Sequence, residues 1–271
     1  IRITNLLKPF GLAFSFIEGE DGEQLDPGKL KHVFDANKSR SRLGYDLTKN
    51  EVACSLSHIK ALKTFLENDK LDYALFLEDD ISISNLESLE AAVKLMPKPN
   101  EWDLLYLGYQ QMNMKMPLKI YLKLLLVYPI LNSLKLKRYD LKKIKRIFGR
   151  PNNDYWFRAG SHNNAHAYTV SKSAAKKIID YNTPVFLQAD VVLMDMIVEG
   201  KLRAFGLNKE LSKRIMRNRV LWLVWKSQEE ISVIHHADLN FKYSFCGLDL
   251  IELRALYECM PHEFKNDITG Q

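Results

Sequence analysis

The stretch Tyr73-Ala-Leu-Phe-Leu-Glu-Asp-Asp-Ile81 decides the fold, because an apolar run passes directly into three consecutive carboxylates. An apolar run of this length bounded by charge predicts a buried, interior strand of an α/β sheet. Ligands of open α/β sheets bind beyond the carboxyl ends of the strands. Glu78, Asp79 and Asp80 are therefore expected at the ligand-binding edge of such a sheet.

These three carboxylates admit two interpretations. Adjacent negative charges repel one another, and a divalent cation with a preference for oxygen ligands, Mg²⁺ or Mn²⁺, would relieve that repulsion. Such an ion usually leaves coordination positions for substrate phosphates, which suggests a diphosphate ligand. The alternative is a solvated acidic turn, because side chains alternate along a strand and three neighbours cannot all face one ion.

Composition sets broad limits on the class of protein. A chain of 271 residues with 46% hydrophobic residues can bury the core of one large domain or two small ones. The net charge of +6 favours anionic partners, namely phosphates, acidic lipid head groups or nucleic acid. Three cysteines without metal-like spacing are typical of a reducing compartment, so a cytoplasmic location is predicted. No run approaches the roughly 20 apolar residues of a spanning helix, which predicts a soluble or peripheral protein.

The clearest helix signal begins at Thr48. Thr48 with Glu51 three residues later forms a capping box, and apolar residues follow at helical spacing from Val52 to Leu66. Three polar residues, Ser55, Ser57 and His58, interrupt this apolar pattern. A lone histidine among apolar residues is more often a hydrogen-bonded structural residue than a ligand, so its type alone assigns His58 no function.

The elements after this helix alternate between strand and helix. The patterns predict a helix over 86–96 and a strand over 102–107. A strand over 165–170, helices over 172–181 and 191–198 and a strand over 201–207 are predicted further along the chain. This order is typical of the α/β class.

Residues 110–150 break that alternation. An apolar run over 122–131 leads into residues 135–150, where eight basic residues accompany one acidic residue, Asp140. Apolar residues are interleaved with these bases, which is typical of a basic amphipathic segment on an anionic membrane surface. The alternative is a helical hairpin packed on the domain, with its charges merely solvated.

Four pieces of sequence now stand in a recognisable order. They are the helical segment Leu47-Thr-Lys-Asn-Glu-Val-Ala-Cys-Ser-Leu-Ser-His58, the strand Ala74-Leu-Phe-Leu-Glu-Asp-Asp80, and the segments His166-Ala-Tyr-Thr-Val-Ser171 and Pro184-Val-Phe-Leu-Gln-Ala-Asp190. Together they resemble glycosyltransferase family 25. This family includes bacterial lipooligosaccharide galactosyltransferases and is similar to collagen galactosyltransferase domains. The resemblance covers about residues 10–110 and 155–207.

The resemblance implies a GT-A type nucleotide-sugar-binding α/β fold with a mostly parallel central sheet. Residues 1–271 would form a single domain, with 110–150 as a basic helical insertion and 208–271 as a C-terminal extension. The expected donor is a UDP-sugar, usually UDP-galactose. The expected acceptor is a lipooligosaccharide or lipopolysaccharide glycan or another lipid-linked oligosaccharide. An anionic membrane surface is an expected partner and nucleic acid is not, which implies a peripheral location on the inner face of the cell membrane.

The resemblance also assigns site residues. Asp190 matches an acidic position after a proline-led turn and would be the general base or the anchor of the acceptor hydroxyl. Its place at a helix start favours the ionised carboxylate, and attack from the face opposite UDP would invert the anomeric centre to a β linkage. The other assignments are Asp80 and Asp79 as ligands of Mn²⁺ or Mg²⁺, and Ser57, His58, Glu78, Asp79 and Tyr168 as substrate-binding residues.

One feature departs from the family pattern. Members normally begin with an apolar strand that helps to hold the nucleotide, whereas this chain is predicted to start in the following helix. A catalytically degenerate relative that binds a glycan or a membrane is therefore an alternative. A metal-dependent phosphoester hydrolase would use the same acidic tip, although the sequence shows no second metal cluster.

Overall fold

The computed structural model of the chain describes residues 15–78, 81–83, 91–109, 111–112, 116–134, 140–208 and 216–218. For 81–83, 111–112, 163 and 216–218 it describes the backbone alone. Asp79 and Asp80, the helix predicted at the start of the chain, and almost all of the predicted C-terminal extension lie outside these residues.

Helices flank the sheet and also form the insertion. Residues 91–94 are helical as well, and they belong to the helix predicted over 86–96. Short 3-10 turns occur at Gly22–Gln24 and Pro99–Glu101. The helices are α1 (Pro27–Val33), α2 (Ala36–Leu43), α3 (Lys49–Leu66), α4 (Leu118–Leu122), α5 (Tyr128–Ser133), α6 (Leu141–Arg146), α7 (Lys172–Tyr181) and α8 (Ala189–Glu199), with a π-helical turn, Lys123–Val127, between α4 and α5.

Ten strands are seen in the part of the chain that the structure describes. They are β1 (Tyr73–Leu77), β2 (Ile81–Ile83), β3 (Leu104–Gly108), β4 (Gln111–Met112), β5 (Arg150–Pro151), β6 (Trp156–Arg158), β7 (His162–Asn163), β8 (Ala167–Ser171), β9 (Ala204–Leu207) and β10 (Met216–Asn218). Six of them form the main sheet in the order β1-β8-β3-β9-β6-β5, and β2 with β10 and β4 with β7 form two-stranded pairs. The α/β class is confirmed.

The prediction of a mostly parallel sheet is wrong. Within the main sheet, only β3 and β9 pair in parallel; β1 with β8, β8 with β3, β9 with β6, and β6 with β5 are antiparallel. The expectation rested on family resemblance. Strand direction depends on pairings such as that of β1 with β8, about 90 residues later, which local sequence patterns do not encode.

The prediction that β1 is buried and interior does not hold within the described part of the sheet. Among the described strands β1 lies at one end of the sheet and pairs with β8. Tyr73 and Leu75 are exposed, with Leu75 at 41%, whereas the strand β3 inside the sheet is buried throughout. A continuous apolar run is typical of an interior strand that is covered on both faces. Strand β1 has such a run but is only partly covered, so its sequence did not reveal its position at the end of the described sheet.

Helix α3 forms as its sequence predicts. Thr48 Oγ1 accepts a hydrogen bond from the backbone of Glu51, and the Glu51 carboxylate accepts one from the backbone of Thr48, which completes the capping box. Val52, Ile59 and Leu62 lie on the buried face of the helix and join the main apolar core under the sheet. The polar face that carries His58 is thereby held at a defined angle to the sheet.

The basic insertion is helical, and part of it packs on the domain. Ile144 of α6 and the following Ile147 are buried in an apolar cluster with residues of α4, α5 and the π turn, and with Val198 of α8. Lys143 Nζ lies 2.9 Å from Glu199 Oε1, and Arg146 Nε donates to the Val198 carbonyl at 2.6 Å. Helix α6 therefore packs on the domain, as the hairpin interpretation expects, but two of its basic side chains are paired rather than solvated. No helix in the described ranges is long and apolar enough to cross a membrane.

We expect Thr48→Ala to lower the free energy of unfolding by about 1 kcal/mol, because the first turn of α3 loses its cap. Chemical denaturation monitored by circular dichroism measures the change. The matched control is Thr64→Ala in the same helix, where Thr64 is exposed and donates to the Lys60 carbonyl within the helix. Alanine is the better helix former there, so Thr64→Ala should leave stability unchanged or raise it. Equal losses in both variants would contradict the capping argument.

Candidate active site

Glu78, the first carboxylate of the acidic tip, is fixed where β1 ends. The Glu78 backbone N–H donates to the His166 carbonyl at 2.9 Å, and His166 Nδ1 donates to Glu78 Oε2 at 2.8 Å. The pairing Leu77↔Ala167 in the ladder of β1 and β8 places these two residues opposite each other. His166 is nearly buried, whereas the Glu78 side chain is 37% exposed. Glu78, the residue directly before Asp79 and Asp80, is therefore held through both its backbone and its side chain.

His58 and Tyr168 line the same region from the helix and from the sheet. His58 Nδ1 and Tyr168 Oη lie 2.8 Å apart in a hydrogen bond, and their rings stack at 6.0 Å. Tyr168 is buried in the middle of β8 and also stacks on Phe76 of β1. Burial lowers the pKa of His58 and raises that of Tyr168, so both side chains are neutral near pH 7.

A hydrogen-bonded loop delivers Asp190 to this region. The buried Asn182 side chain accepts from the backbone of Phe186 and Leu187 and donates to the Leu187 carbonyl. Ser55 of α3 donates to the same Leu187 carbonyl at 2.9 Å. Gln188 is the residue directly before α8, and its side chain donates to the Glu51 carboxylate at the start of α3. The first turn of α8 is thus tied to α3.

Asp190 is held by backbone N–H groups on both carboxylate oxygens. The Asn164 N–H donates to Oδ2 at 3.1 Å, and the Val191 N–H donates to Oδ1 at 2.8 Å. Asn164 adopts a left-handed backbone with φ of 55°, which asparagine tolerates better than most residues, and this turn aims its N–H at the carboxylate. Burial raises the pKa of Asp190 above the ordinary value, although these hydrogen bonds favour the charged form.

Two carboxylates act on one small group of side chains. The charges of Glu78 and Asp190 both favour protonation of the His58 imidazole. They also act on the Cys54 thiol one helical turn earlier. The Cys54 residue reaches solvent, yet desolvation of the thiol together with these charges raises its pKa to about 12. Glu78, His58, Tyr168 and Asp190 therefore share one neighbourhood, which the sequence assigned to substrate binding and catalysis.

The other predicted site residues stand differently. Ser57 Oγ accepts from the Glu20 N–H at 2.7 Å and donates to the Ala53 carbonyl at 2.8 Å, so it fastens residues 18–20 to α3. Its role in substrate binding stays a prediction. Asp79 and Asp80 lie outside the described residues. Among the residues that are described, no three His, Cys, Asp or Glu side chains are arranged to bind a metal ion.

Sequence reasoning missed three residues that shape the site. Asn164 and His166 bind the two carboxylates, and Asn182 organises the loop before Asp190. The position of His166 was a usable signal. His166 stands directly before the strand β8, as Glu78 stands directly after the strand β1, and these two positions lie opposite each other when the strands pair antiparallel. Asn164 acts through its backbone and Asn182 through a tertiary loop, and neither role has a local sequence signature.

Tyr106 and His162 form a buried aromatic pair. The rings of Tyr106 and His162 lie 4.3 Å apart, and both residues are buried. His162 Nδ1 donates to the Gly160 carbonyl, so Nε2 carries the lone pair of the neutral ring. Neither His162 Nε2 nor Tyr106 Oη has a hydrogen-bond partner among the described residues. Burial lowers the pKa of His162 to about 4.

Comparison with known proteins identifies the family. The model of glycosyltransferase family 25 (LPS biosynthesis protein) matches residues 2–193, a range that includes five of the six strands of the main sheet, α3 and Asp190. The chain therefore belongs to glycosyltransferase family 25.

Two individual proteins were found to be similar. Procollagen galactosyltransferase 2 of Homo sapiens is 29% identical over 125 residues, which is 44% of this chain and 20% of the human protein. The chain thus spans about a fifth of that relative. The second is the solved structure of A197 from STIV, which is 13% identical. The aligned region covers 68% of this chain and 81% of the A197 chain. Its TM-score of 0.30 is too low to inform the fold.

We expect acidification to destabilise the protein through His162. The unfolded chain binds a proton on this histidine near 6.5, whereas the folded chain does so only near 4. Stability is therefore lost as the pH falls through this window, by up to roughly 3 kcal/mol. His162→Phe should flatten the pH dependence of the free energy of unfolding between pH 7 and pH 4.5.

The control for this measurement is His32→Phe, because His32 is exposed on α1 and its replacement leaves no buried site changed. Denaturant titrations at several pH values compare the two variants with the parent chain. If His162→Phe retains the full pH dependence, the loss of stability originates at another group.

Proposed function

We propose that this chain transfers a hexose, galactose from UDP-galactose, onto a lipooligosaccharide or lipopolysaccharide acceptor with inversion to a β linkage. The reaction would depend on Mn²⁺ or Mg²⁺ and take place at the inner face of the cell membrane. Family membership supports transfer of a sugar, and the name of the human relative supports galactose. The family description as an LPS biosynthesis protein supports the acceptor.

The burial of Asp190 and the hydrogen bonds that hold its carboxylate are the observation that carries this proposal. A general base works best when its pKa lies close to the working pH, and burial moves the pKa of Asp190 in that direction. Two backbone N–H groups hold its carboxylate oxygens in place, so the carboxylate does not need to reorganise during the reaction.

The chemical step then has a simple balance of bonds and protons. The acceptor hydroxyl oxygen attacks the anomeric carbon as the bond from that carbon to the UDP oxygen breaks, and UDP leaves with the electron pair. Asp190 accepts the hydroxyl proton. Attack from the face opposite the leaving group converts an α-linked donor into a β-linked product, through an oxocarbenium-like state of the kind known for glycoside hydrolysis.

The neutral pair of His58 and Tyr168 suits a sugar better than a phosphate. Both rings are aromatic, both are uncharged, and their hydrogen bond fixes the orientation of the imidazole. Flat aromatic faces with a few fixed polar atoms are typical of small-molecule sites. We assign His58 and Tyr168 to the pocket of the transferred sugar and Glu78 to its edge.

The residues at the strand end fit a hard divalent cation in their chemistry. Carboxylate oxygens are the ligands that Mg²⁺ and Mn²⁺ prefer, and His166 holds Glu78, the residue directly before Asp79 and Asp80 in the sequence. Asp80 and Asp79 would hold the ion, and Glu78 would remain bound to His166. When bound, the ion would neutralise charge on the diphosphate as a Lewis acid.

We expect Asp190→Asn to lower kcat roughly 100- to 10,000-fold, because the acceptor proton loses its base. The assay measures UDP release from UDP-galactose in the presence of Mn²⁺ and soluble glucose, N-acetylglucosamine or lactose. Binding of UDP, measured by calorimetry, should be unchanged. The control is Asp180→Asn, an exposed aspartate at the end of α7, which should keep full activity.

The pH dependence gives a second check on Asp190. Protonation abolishes a base, so kcat/KM should fall as the pH drops through its pKa, which lies above the ordinary 3.8. Turnover that survives in Asp190→Asn would remove Asp190 from the mechanism. No turnover in the parent chain with any acceptor, together with retained glycan binding, would favour the degenerate relative.

We expect metal removal and Asp80→Ala to have the same effect, because Asp80 is the proposed principal ligand. Chelation with EDTA should abolish UDP release from the parent chain, and Mn²⁺ should restore it. Asp80→Ala should lose turnover and weaken Mn²⁺ binding measured by calorimetry. Asp69→Ala is the control, because Asp69 is almost fully exposed and lies before β1. Equal turnover in the parent chain and Asp80→Ala would contradict the metal assignment.

A further inference from the structure

The insertion presents an apolar face that no described residue covers. Over α4, the π turn and α5, the residues Ile120, Leu124 and Tyr128 recur every four positions and are buried against α6. Apolar residues also occupy the opposite side of this helical stretch. We call this side the 118–134 face: it consists of Leu118, Tyr121, Leu122, Leu125, Leu126, Val127, Ile130 and Leu134, all of them exposed.

The degree of exposure is unusual for these residue types. Leu118 is 71% exposed, and Leu126 and Leu134 are each 61% exposed. A helix at the surface of a soluble protein normally turns polar residues to water, whereas a helix that is apolar on all sides is buried or inserted in lipid. Eight such side chains together offer on the order of several hundred Å² of apolar surface, an amount that usually marks an interaction site.

The charges around this face favour an anionic partner. From 116 to 134 the sequence contains two lysines, Lys119 and Lys123, and no acidic residue. Lys119 is exposed, and Lys142 and Lys145 of the neighbouring α6 are exposed as well. Long lysine side chains can lay their methylene groups on an apolar surface and extend their ammonium groups to phosphate.

We infer that the 118–134 face lies in the interface of an anionic lipid bilayer, with its apolar side chains among the acyl chains and its lysines at the head groups. An apolar helix face with a basic rim is the arrangement of interfacial helices that lie in the membrane plane. This inference rests on the membrane location proposed above and names the surface that provides it. It does not depend on the transferase chemistry.

The inference changes which part of the insertion binds the membrane. Of the basic residues on α6, Lys143 pairs with Glu199, and Arg146 donates to the carbonyls of Val198 and Glu199. These two side chains hold α6 on α8. Of the apolar residues of α6, Ile144 is buried and Leu141 is partly buried. The stretch over 118–134 therefore inserts, while α6 supplies Lys142 and Lys145 at the rim.

The test compares two triple variants of the full chain. The first, Leu118→Ser, Leu126→Ser and Ile130→Ser, makes the 118–134 face polar without touching its buried side. The matched control, Val93→Ser, Leu95→Ser and Met96→Ser, changes three other exposed apolar residues. Co-sedimentation measures binding to vesicles of phosphatidylcholine mixed with phosphatidylglycerol, and to vesicles of phosphatidylcholine alone.

We expect the face variant to bind mixed vesicles roughly tenfold or more weakly than the parent chain, and the control to bind like the parent. Lys142→Gln with Lys145→Gln should weaken binding roughly fivefold for each lysine, and only to the mixed vesicles. UDP release with soluble acceptors should be unchanged in all three variants. If the parent chain binds vesicles but releases no UDP, the proposed function is contradicted and the membrane inference is still supported.

Three results would overturn the inference. The first is equal binding of the face variant and the parent chain to mixed vesicles. The second is a parent dimer that becomes a monomer in the face variant, seen by sedimentation velocity, because a second copy would then cover the face. The third is faster hydrogen exchange in 219–271 of the face variant without vesicles, because the chain's own C-terminal residues would then cover it.

Discussion

The antiparallel register between β1 and β8 is the constraint on which the site depends. It sets Phe76 opposite Tyr168, so that their rings stack, and Leu77 opposite Ala167, so that Glu78 meets His166. A slip of one residue would turn every side chain of β1 to the other face of the sheet. Tyr168 would lose its stacking partner, and Glu78 would no longer meet His166. The same strand register is thus required both for the packing of β1 and for the geometry of the site.

Helix α8 connects the site to the rest of the domain. Its first turn carries Asp190, its middle carries the fully buried Asp195, and its end carries Val198 and Glu199. Asp195 forms an ion pair with Arg42 of α2 and accepts a hydrogen bond from Tyr181 of α7 at 2.7 Å. A buried carboxylate is tolerated only with such partners, and removal of one partner is costly. The network therefore fixes the helix that presents Asp190.

The insertion joins this same helix at its far end. Val198 belongs to the apolar cluster of α4, α5 and α6, and Arg146 packs over Gly200, where a left-handed backbone ends α8. A membrane-bound insertion would thus be rigidly connected to the helix that begins at Asp190. A lipid-linked acceptor would meet a site whose distance from the bilayer is set by one helix, about 16 Å long at 1.5 Å per residue. The two proposals are physically compatible because they use opposite ends of α8.

The sequence by itself determined the α/β class, helix α3 with its capping box, strand β1 with its acidic end, and the family, because each of these depends on local periodicity, caps or contiguous motifs. It also singled out Glu78, His58, Tyr168 and Asp190. Only the tertiary structure decided that the sheet is mixed, that β1 lies at its end among the described strands, and that Ser57 fastens a loop. Likewise, only the structure showed Asn164 and His166 as the partners of the two carboxylates. The physical reason is that strand pairing and backbone hydrogen bonds join residues tens of positions apart, whereas sequence patterns report only the neighbours within a few turns.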